Sequence, residues 1–298
     1  MAFALDTSSY TTSAAVFDGA EGRNSSLLLS VDKGEIGLRQ SEALFRHIRQ
    51  LPGVIGKLDI NISDIKTVGV SSKPRELEAS YMPCFLAGVS QAKTLAKLLK
   101  VPYSEFSHQQ GHIAAACWSS GHIELLDRPF LALHLSGGTT ELLYVRPSGR
   151  TIACEIIGGT TDISAGQLVD RAGKFLGLAF PAGKELDALA AKADRKDYFN
   201  IRVSGTEFSL SGMENKIKTL GGSPENIAYY TLASIAGAVQ RITQKAREIY
   251  GTLPVIYSGG VASSVILRNL LEGYFAAPEY STDNAMGTAI LTYRKSIL

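Results

Sequence analysis

Phe130-Leu131-Ala132-Leu133-His134-Leu135-Ser136-Gly137-Gly138-Thr139-Thr140 is an apolar run that breaks into a small polar turn. The start of the chain has the same grammar, in Phe3-Ala4-Leu5-Asp6-Thr7-Ser8-Ser9-Tyr10-Thr11-Thr12. After each turn comes a second apolar or β-branched stretch, Ser13 to Phe17 in one copy and Glu141 to Val145 in the other. A further turn and a third stretch follow, Ser26 to Val31 and Thr151 to Ile157. Short runs of this composition bounded by turn residues are strands, so each copy is a three-strand meander. The copies stand about 130 residues apart, and repetition on that scale indicates two structurally similar lobes.

Helical patterns fill the space between the meanders. Gln40 to Leu51 places Ala43, Leu44, His47 and Ile48 on one face, and Pro83 to Leu99 does the same with Phe85, Leu86, Val89, Ala92 and Leu95 or Ala96. Downstream, Ser223-Pro224-Glu225 has the cap and first-turn proline of a helix start, and Gly251 stops the periodic stretch after Tyr250. Pro254 to Tyr257 is a buried-type strand, Ser258-Gly259-Gly260 a tight turn and Ala262 to Leu271 a helix. Alternation of this kind gives an α/β protein.

A chain of 298 residues with 45% hydrophobic and 19% charged residues can bury real cores, and disorder is excluded. A net charge of +2 gives no chain-wide field for nucleic acid or membrane, so any RNA contact is local. Met1-Ala2-Phe3-Ala4-Leu5 lacks a basic leader region and no apolar run reaches membrane-spanning length, so a cytoplasmic location without membrane contact is expected. Cys84, Cys117 and Cys154 are widely spaced with no C-x-x-C, which points to reduced structural thiols.

Three small turns follow strands: Asp6 to Thr12, Ser136 to Thr140 and Ser258 to Gly260. Glycines let a backbone approach a ligand and aim N–H groups at phosphate, so a nucleotide clamped between the lobes is expected. In His108-Gln109-Gln110-Gly111-His112 the imidazoles stand four residues apart, on one face if the segment is helical, and can share a metal ion. Gln109 stands where a zinc protease of the H-E-x-x-H kind needs a glutamate base, so proteolysis is disfavoured. Asp283, before the last apolar run, is either a third ligand or the cap of a final helix. His134 is either a cleft residue or a satisfied core histidine. Asp162 and Asp170, near helix starts, suit ribose or metal-bound phosphate, or only capping. Basic residues at Lys192, Arg195, Lys196, Lys216 and Lys218 are too loosely gathered for a committed RNA surface.

Taken in order, Leu5-Asp6-Thr7-Ser8, His108-x-x-x-His112, Ser136-Gly137-Gly138, Asp162 with Gly166 and Asp170, Leu176-Gly177-Leu178 before Pro181-x-Gly183, Phe208 to Gly212, Gly259-Gly260-Val261 and Thr282-Asp283-Asn284 resemble the TsaD family, also called Gcp or YgjD. The likeness covers nearly the whole chain. It implies the actin-like ATPase fold, with a lobe over 1–127 completed by a last helix that swaps back from the C-terminus. The second lobe takes 128–298, with a helical insertion at about 160–225. It also implies one divalent metal, zinc or iron, on His108, His112 and Asp283. ATP, AMP or threonylcarbamoyl-AMP would lie on Ser136, Gly137, Gly138, Asp170, Gly183 and Gly260. The implied activity is transfer of threonylcarbamoyl to N6 of an anticodon-adjacent adenosine in tRNA, with a TsaB-like protein or a second copy as partner.

The sequence departs from the family at several points. Asp6 replaces an opening Glu, and Ser9, Tyr10 and Thr11 replace Cys-Asp-Glu. Ser71-Ser72-Lys73-Pro74-Arg75-Glu76 replaces a Gly-Pro-Gly loop. Thr139, Gln167, Glu214 and Ser264 also differ from the usual residues. These changes leave two alternatives to the transferase: a non-catalytic nucleotide- and metal-binding partner subunit, and a small-molecule carbamoyltransferase or kinase of the same fold.

Overall fold

The computed structural model describes residues 1–8, 10–30, 38–77 and 79–297. In chain order the elements are β1 (Ala2–Asp6), β2 (Thr11–Phe17), β3 (Gly22–Leu28), α1 (Gln40–Gly56), β4 (Thr67–Lys73), α2 (Phe85–Leu99), β5 (Tyr103–Ser107) and α3 (His108–Ser119). There follow β6 (Phe130–Leu135), β7 (Thr140–Ser148), β8 (Thr151–Thr160), α4 (Ala165–Phe175), α5 (Gly183–Ala190), β9 (Val203–Ser204), β10 (Glu207–Phe208) and α6 (Ser211–Thr219). The last are α7 (Pro224–Tyr250), β11 (Val255–Ser258), α8 (Val265–Leu270), β12 (Tyr274–Phe275) and α9 (Met286–Ser296). Among the described residues no helix is long and apolar enough to cross a membrane.

Two compact units divide the chain. Unit 1 holds Met1–Asp127, Arg146–Cys154 and Thr282–Leu298, and unit 2 holds Arg128–Val145 and Glu155–Ser281. The sheet of unit 1 runs β3-β2-β1-β4-β5, with β1 to β3 antiparallel and β4 and β5 parallel to β1. Every residue of β1 and β2 is buried, which requires cover on both faces. Helices α1, α2 and α9 supply it, and α3 packs on α9. The third strand is Gly22–Leu28, earlier than the expected Ser26 to Val31, and Val31 and Ser9 lie outside the described residues.

Two helical faces differ from the sequence expectation. In α1 the buried stripe is Ala43, His47, Leu51 and Val54, continuing past Pro52, so Ile48 falls beside the stripe and is half exposed. In α2 Phe85 is buried as expected, but after it small residues face inward, Ala87, Gly88, Ala92 and Ala96, and Leu86 points outward. The reason is close approach: Gly88 N–H donates to Thr7 Oγ1 at 3.1 Å, and a side chain at Gly88 would meet that hydroxyl.

The sheet of unit 2 runs β12-β11-β6-β7-β8-β10-β9. Its first five strands repeat the pattern of unit 1: β6 pairs antiparallel with β7 and parallel with β11, which pairs parallel with β12. Its core gathers β6, α4 and α7, including Leu131, Leu133, Leu168, Leu232, Ile235 and Val239. Helix α7 begins where expected, with Ser223 Oγ accepting from Asn226 N–H and Pro224 in the first turn, and ends at Gly251 with φ 91°. The expected helix Ala262 to Leu271 is instead a short 3-10 turn, Gly260–Ser263, followed by α8. Ser264 breaks the run, since its extended backbone and its hydroxyl, 3.2 Å from Leu267 N, start a new helix there.

Candidate cation site and nucleotide pocket

His108 opens α3. Ser107 and Gln110 close a reciprocal capping box at that end, and Gln110 Nε2 also donates to Ile152 O at 2.6 Å, so the first turn is fixed. One turn later His112 lies on the same face, and its Nε2 is 2.8 Å from Nε2 of His108. Asp283 arrives from the other end of unit 1, because α9 lies against α3 where two glycines meet. A Cβ at Gly287 would fall 1.7 Å from Gly111 O, so only glycine allows that crossing. Asp283 Oδ1 stands 3.2 Å from His112 Nε2 and 3.4 Å from His108 Nε2. It does not cap α9: the adjacent Asn284 Oδ1 accepts from Met286 N–H at 3.0 Å.

These three ligand atoms lie within 4.8 Å of one another. Their separations of 2.8, 3.2 and 3.4 Å suit one ion with bonds of about 2.0–2.2 Å, and two neutral imidazole nitrogens with one carboxylate oxygen form a donor set for zinc or iron. The residues therefore fit a divalent cation. Burial works against charge on His108, but the Asp6 carboxylate, helped by Asp283, pushes its pKa up to about 10. Burial likewise opposes charge on Asp283, and hydrogen bonds from both imidazoles hold its carboxyl well below the usual range.

Unit 2 holds a cavity of about 590 Å³, within the range of small-molecule sites. Gly137, Asp170, Gly183 and Gly260 all line it. Ser136 and Gly138 flank Gly137 in the turn after β6. Ser136 Oγ accepts from Thr139 N–H at 3.0 Å and so braces the turn, while a Cβ at Gly137 or Gly138 would meet nothing within 4 Å. The turn is also pinned by α4: Ser164 Oγ donates to Gly137 O at 2.7 Å and Gly166 N–H to Ser136 O at 3.1 Å. Asp170 accepts from Ala182 N–H at 2.9 Å and so fixes the entry to α5. Apolar wall comes from Leu232, Val261 and Val265, and charge from Lys184 and Asp187.

Other candidates have structural partners. Asp162 accepts from Leu210 N–H at 2.8 Å, Ser211 N–H at 3.1 Å and Ser209 Oγ, so it fastens a loop. His134 Nδ1 is 3.0 Å from Ser258 Oγ, its register partner on β11. Burial pushes the Cys117 and Cys154 thiols up, as inert structural cysteines require. Asp187 had no sequence signal, and Asp6, read only as part of the first turn and of the family motif, gave no sign of its partner. Asp6, buried at the end of β1, places Oδ2 2.8 Å from His108 Nδ1, a partner 102 positions away. Asp187 accepts from Val265 N–H at 2.9 Å and from Ser264, and so caps α8 at the cavity wall.

A family model described as TsaD, tRNA N6-adenosine threonylcarbamoyltransferase, matches residues 41–290. A tRNA N6-adenosine threonylcarbamoyltransferase of Lacticaseibacillus casei is 30% identical over 287 residues, covering 90% of this chain and 81% of that protein. One from Syntrophobacter fumaroxidans is 34% identical over 236 residues, covering 70% and 68%. Among solved structures, full-length HypF in its phosphate- and nucleotide-bound form aligns over 99% of this chain and 46% of its own, with TM-score 0.61 and 14% identity. Component A of the (R)-2-hydroxyglutaryl-CoA dehydratase of Acidaminococcus fermentans aligns over 99% and 98%, with TM-score 0.57 and 15% identity. With its duplicated sheets and the ordered motifs that carry these matches, the chain has the actin-like ATPase fold and belongs to the TsaD family.

Proposed function

We propose that this protein transfers the threonylcarbamoyl group of threonylcarbamoyl-AMP to N6 of the adenosine beside the anticodon of tRNA, in the cytoplasm and with a TsaB-like protein or a second copy as partner. The observation that carries this reading is the convergence of His108, His112 and Asp283 on one point, in a chain of the TsaD family. In the reaction the amine nitrogen bonds to the carbamoyl carbon, the bond from that carbon to the phosphate oxygen breaks, AMP leaves and the amine loses a proton. A zinc or iron ion on the three side chains would polarise the carbamoyl carbonyl and orient the donor. The Gly137 backbone gives phosphate a close approach, Asp170 and Asp187 offer acceptors to ribose hydroxyls, and Leu232, Val261 and Val265 offer an apolar bed to the purine.

A second reading, a nucleotide- and cation-binding partner subunit without catalysis, draws on the turn after β1. Tyr10 and Thr11 stand there in place of the Asp and Glu that the resemblance to the family implies, and neither carries a carboxylate, so general-base help worth about two to four orders of magnitude is lost if it came from that pair. Incubation with threonylcarbamoyl-AMP labelled in its threonyl part and unmodified tRNA separates the two. Label in tRNA supports transfer; tight nucleotide binding with unlabelled tRNA supports the partner subunit.

A further inference from the structure

We propose that Asp6 is the positioning residue of the candidate cation site, setting both the tautomer of His108 and the register of the two segments that bring the ligands together. The inference rests on the reading of His108, His112 and Asp283 as one cation site. An imidazole ligates through one nitrogen, and the proton on the other decides which lone pair is offered. His108 shows Nδ1 to Asp6 Oδ2 at 2.8 Å and Nε2 to His112 and Asp283. A carboxylate only accepts, so in the neutral ring that ligation requires the proton stays on Nδ1, and the Nε2 lone pair faces the other two ligands.

The second half of the argument is where the carboxylate gets its own position. Asp6 is 1% exposed at the C-terminal end of β1. Its Oδ1 accepts from Ser8 N–H at 2.8 Å, and the Ser71 hydroxyl on β4 also hydrogen-bonds to it. Ser71 Oγ is in turn 2.9 Å from Thr288 Oγ1 on α9, the helix that follows Asp283. One unbroken polar chain thus runs Thr288, Ser71, Asp6, His108, with each hydroxyl able to donate toward the carboxylate. It ties α9 and α3 to the same strand pair, so ligands 171 positions apart in sequence keep their mutual distance. This chain carries Ser71 at the head of Ser71-Ser72-Lys73-Pro74, and a residue without a hydroxyl there could not make the link.

The test titrates Co²⁺ into wild-type protein and into Asp6→Asn and Ser71→Ala variants, reading the d–d absorption bands, with ¹⁵N NMR of the histidine rings of wild type in parallel. The amide introduced by Asp6→Asn can donate to Nδ1 and so favour the tautomer with its proton on Nε2. Co²⁺ affinity should therefore fall by about 10- to 100-fold with an altered band pattern. Ser71→Ala should weaken affinity by a smaller factor, and the wild-type spectrum at alkaline pH should show His108 with Nδ1 protonated. Equal Co²⁺ affinity and bands in wild type and Asp6→Asn, or a neutral wild-type His108 with its single proton on Nε2, would overturn the positioning role while leaving the cation site intact. Should Asp6→Asn fail to fold, the tautomer measurement and Ser71→Ala decide the matter. No Co²⁺ bands in wild type would overturn the cation site itself and the proposal with it.

Discussion

Gly137 and Asp162 show how a single residue divides between holding the fold and meeting a ligand. A Cβ at Gly137 would meet nothing within 4 Å, and the residue lines the cavity of unit 2, so a larger side chain there occupies ligand space without disturbing the protein. Gly137→Val should leave the melting temperature within about 2 °C of wild type and abolish the thermal shift given by millimolar AMP or ATP, as differential scanning fluorimetry would report. Asp162 has the opposite character. Burial pushes its pKa up, but hydrogen bonds from Ser209, Ser211 and Leu210 together outweigh that and hold its carboxyl well below the usual range. A carboxylate lowered in the folded state stabilises fully above its unfolded pKa of about 3.9, and that stability is lost as pH falls through the lowered folded value. The urea midpoint of wild type should exceed that of Asp162→Asn at pH about 7, and the gap should shrink as pH is taken below about 4.

Between elements, the crossing of α3 and α9 is the contact that brings His108, His112 and Asp283 together. Gly287→Ala would place a methyl carbon 1.7 Å from Gly111 O and 2.7 Å from Ala115 N, both backbone atoms, so the helices must separate. The expected cost is about 1–3 kcal/mol in denaturant unfolding, with a weaker Co²⁺ titration because Asp283 precedes the displaced helix. This is also where sequence reading had its reach and its limit. The pair His108 and His112 is legible because helical periodicity alone brings positions four apart together. In sequence Asp283 reads as either a ligand or a cap, and the structure removes the cap, because Asn284 takes over the turn at the start of α9. The contact of Asp6 with His108 links strand and helix across 102 positions, and no local period encodes it. Leu86 points outward because small residues face the sheet where the α2 backbone comes close at Gly88, and Ile48 because the buried stripe of α1 runs through His47, Leu51 and Val54 beside it.

For the whole molecule, the duplication was legible because both meanders are short apolar runs that end in turns punctuating them, Asp6 to Ser8 and Ser136 to Thr139. The short pairs β9 with β10 and the two-residue β12 were not, since runs of two residues carry no period. The two-lobed chain is proposed to act on tRNA, and one measurement addresses that directly. Unmodified tRNA, threonylcarbamoyl-AMP, Co²⁺ or Zn²⁺, and the protein with a TsaB-like partner are mixed, and the tRNA is digested to nucleosides for mass spectrometry. The expected result is a threonylcarbamoyl-adenosine peak from the anticodon loop, formed with wild type and lost with His112→Ala. Absence of that peak at protein equimolar with tRNA, while calorimetry shows the adenylate bound, would contradict the transferase reading.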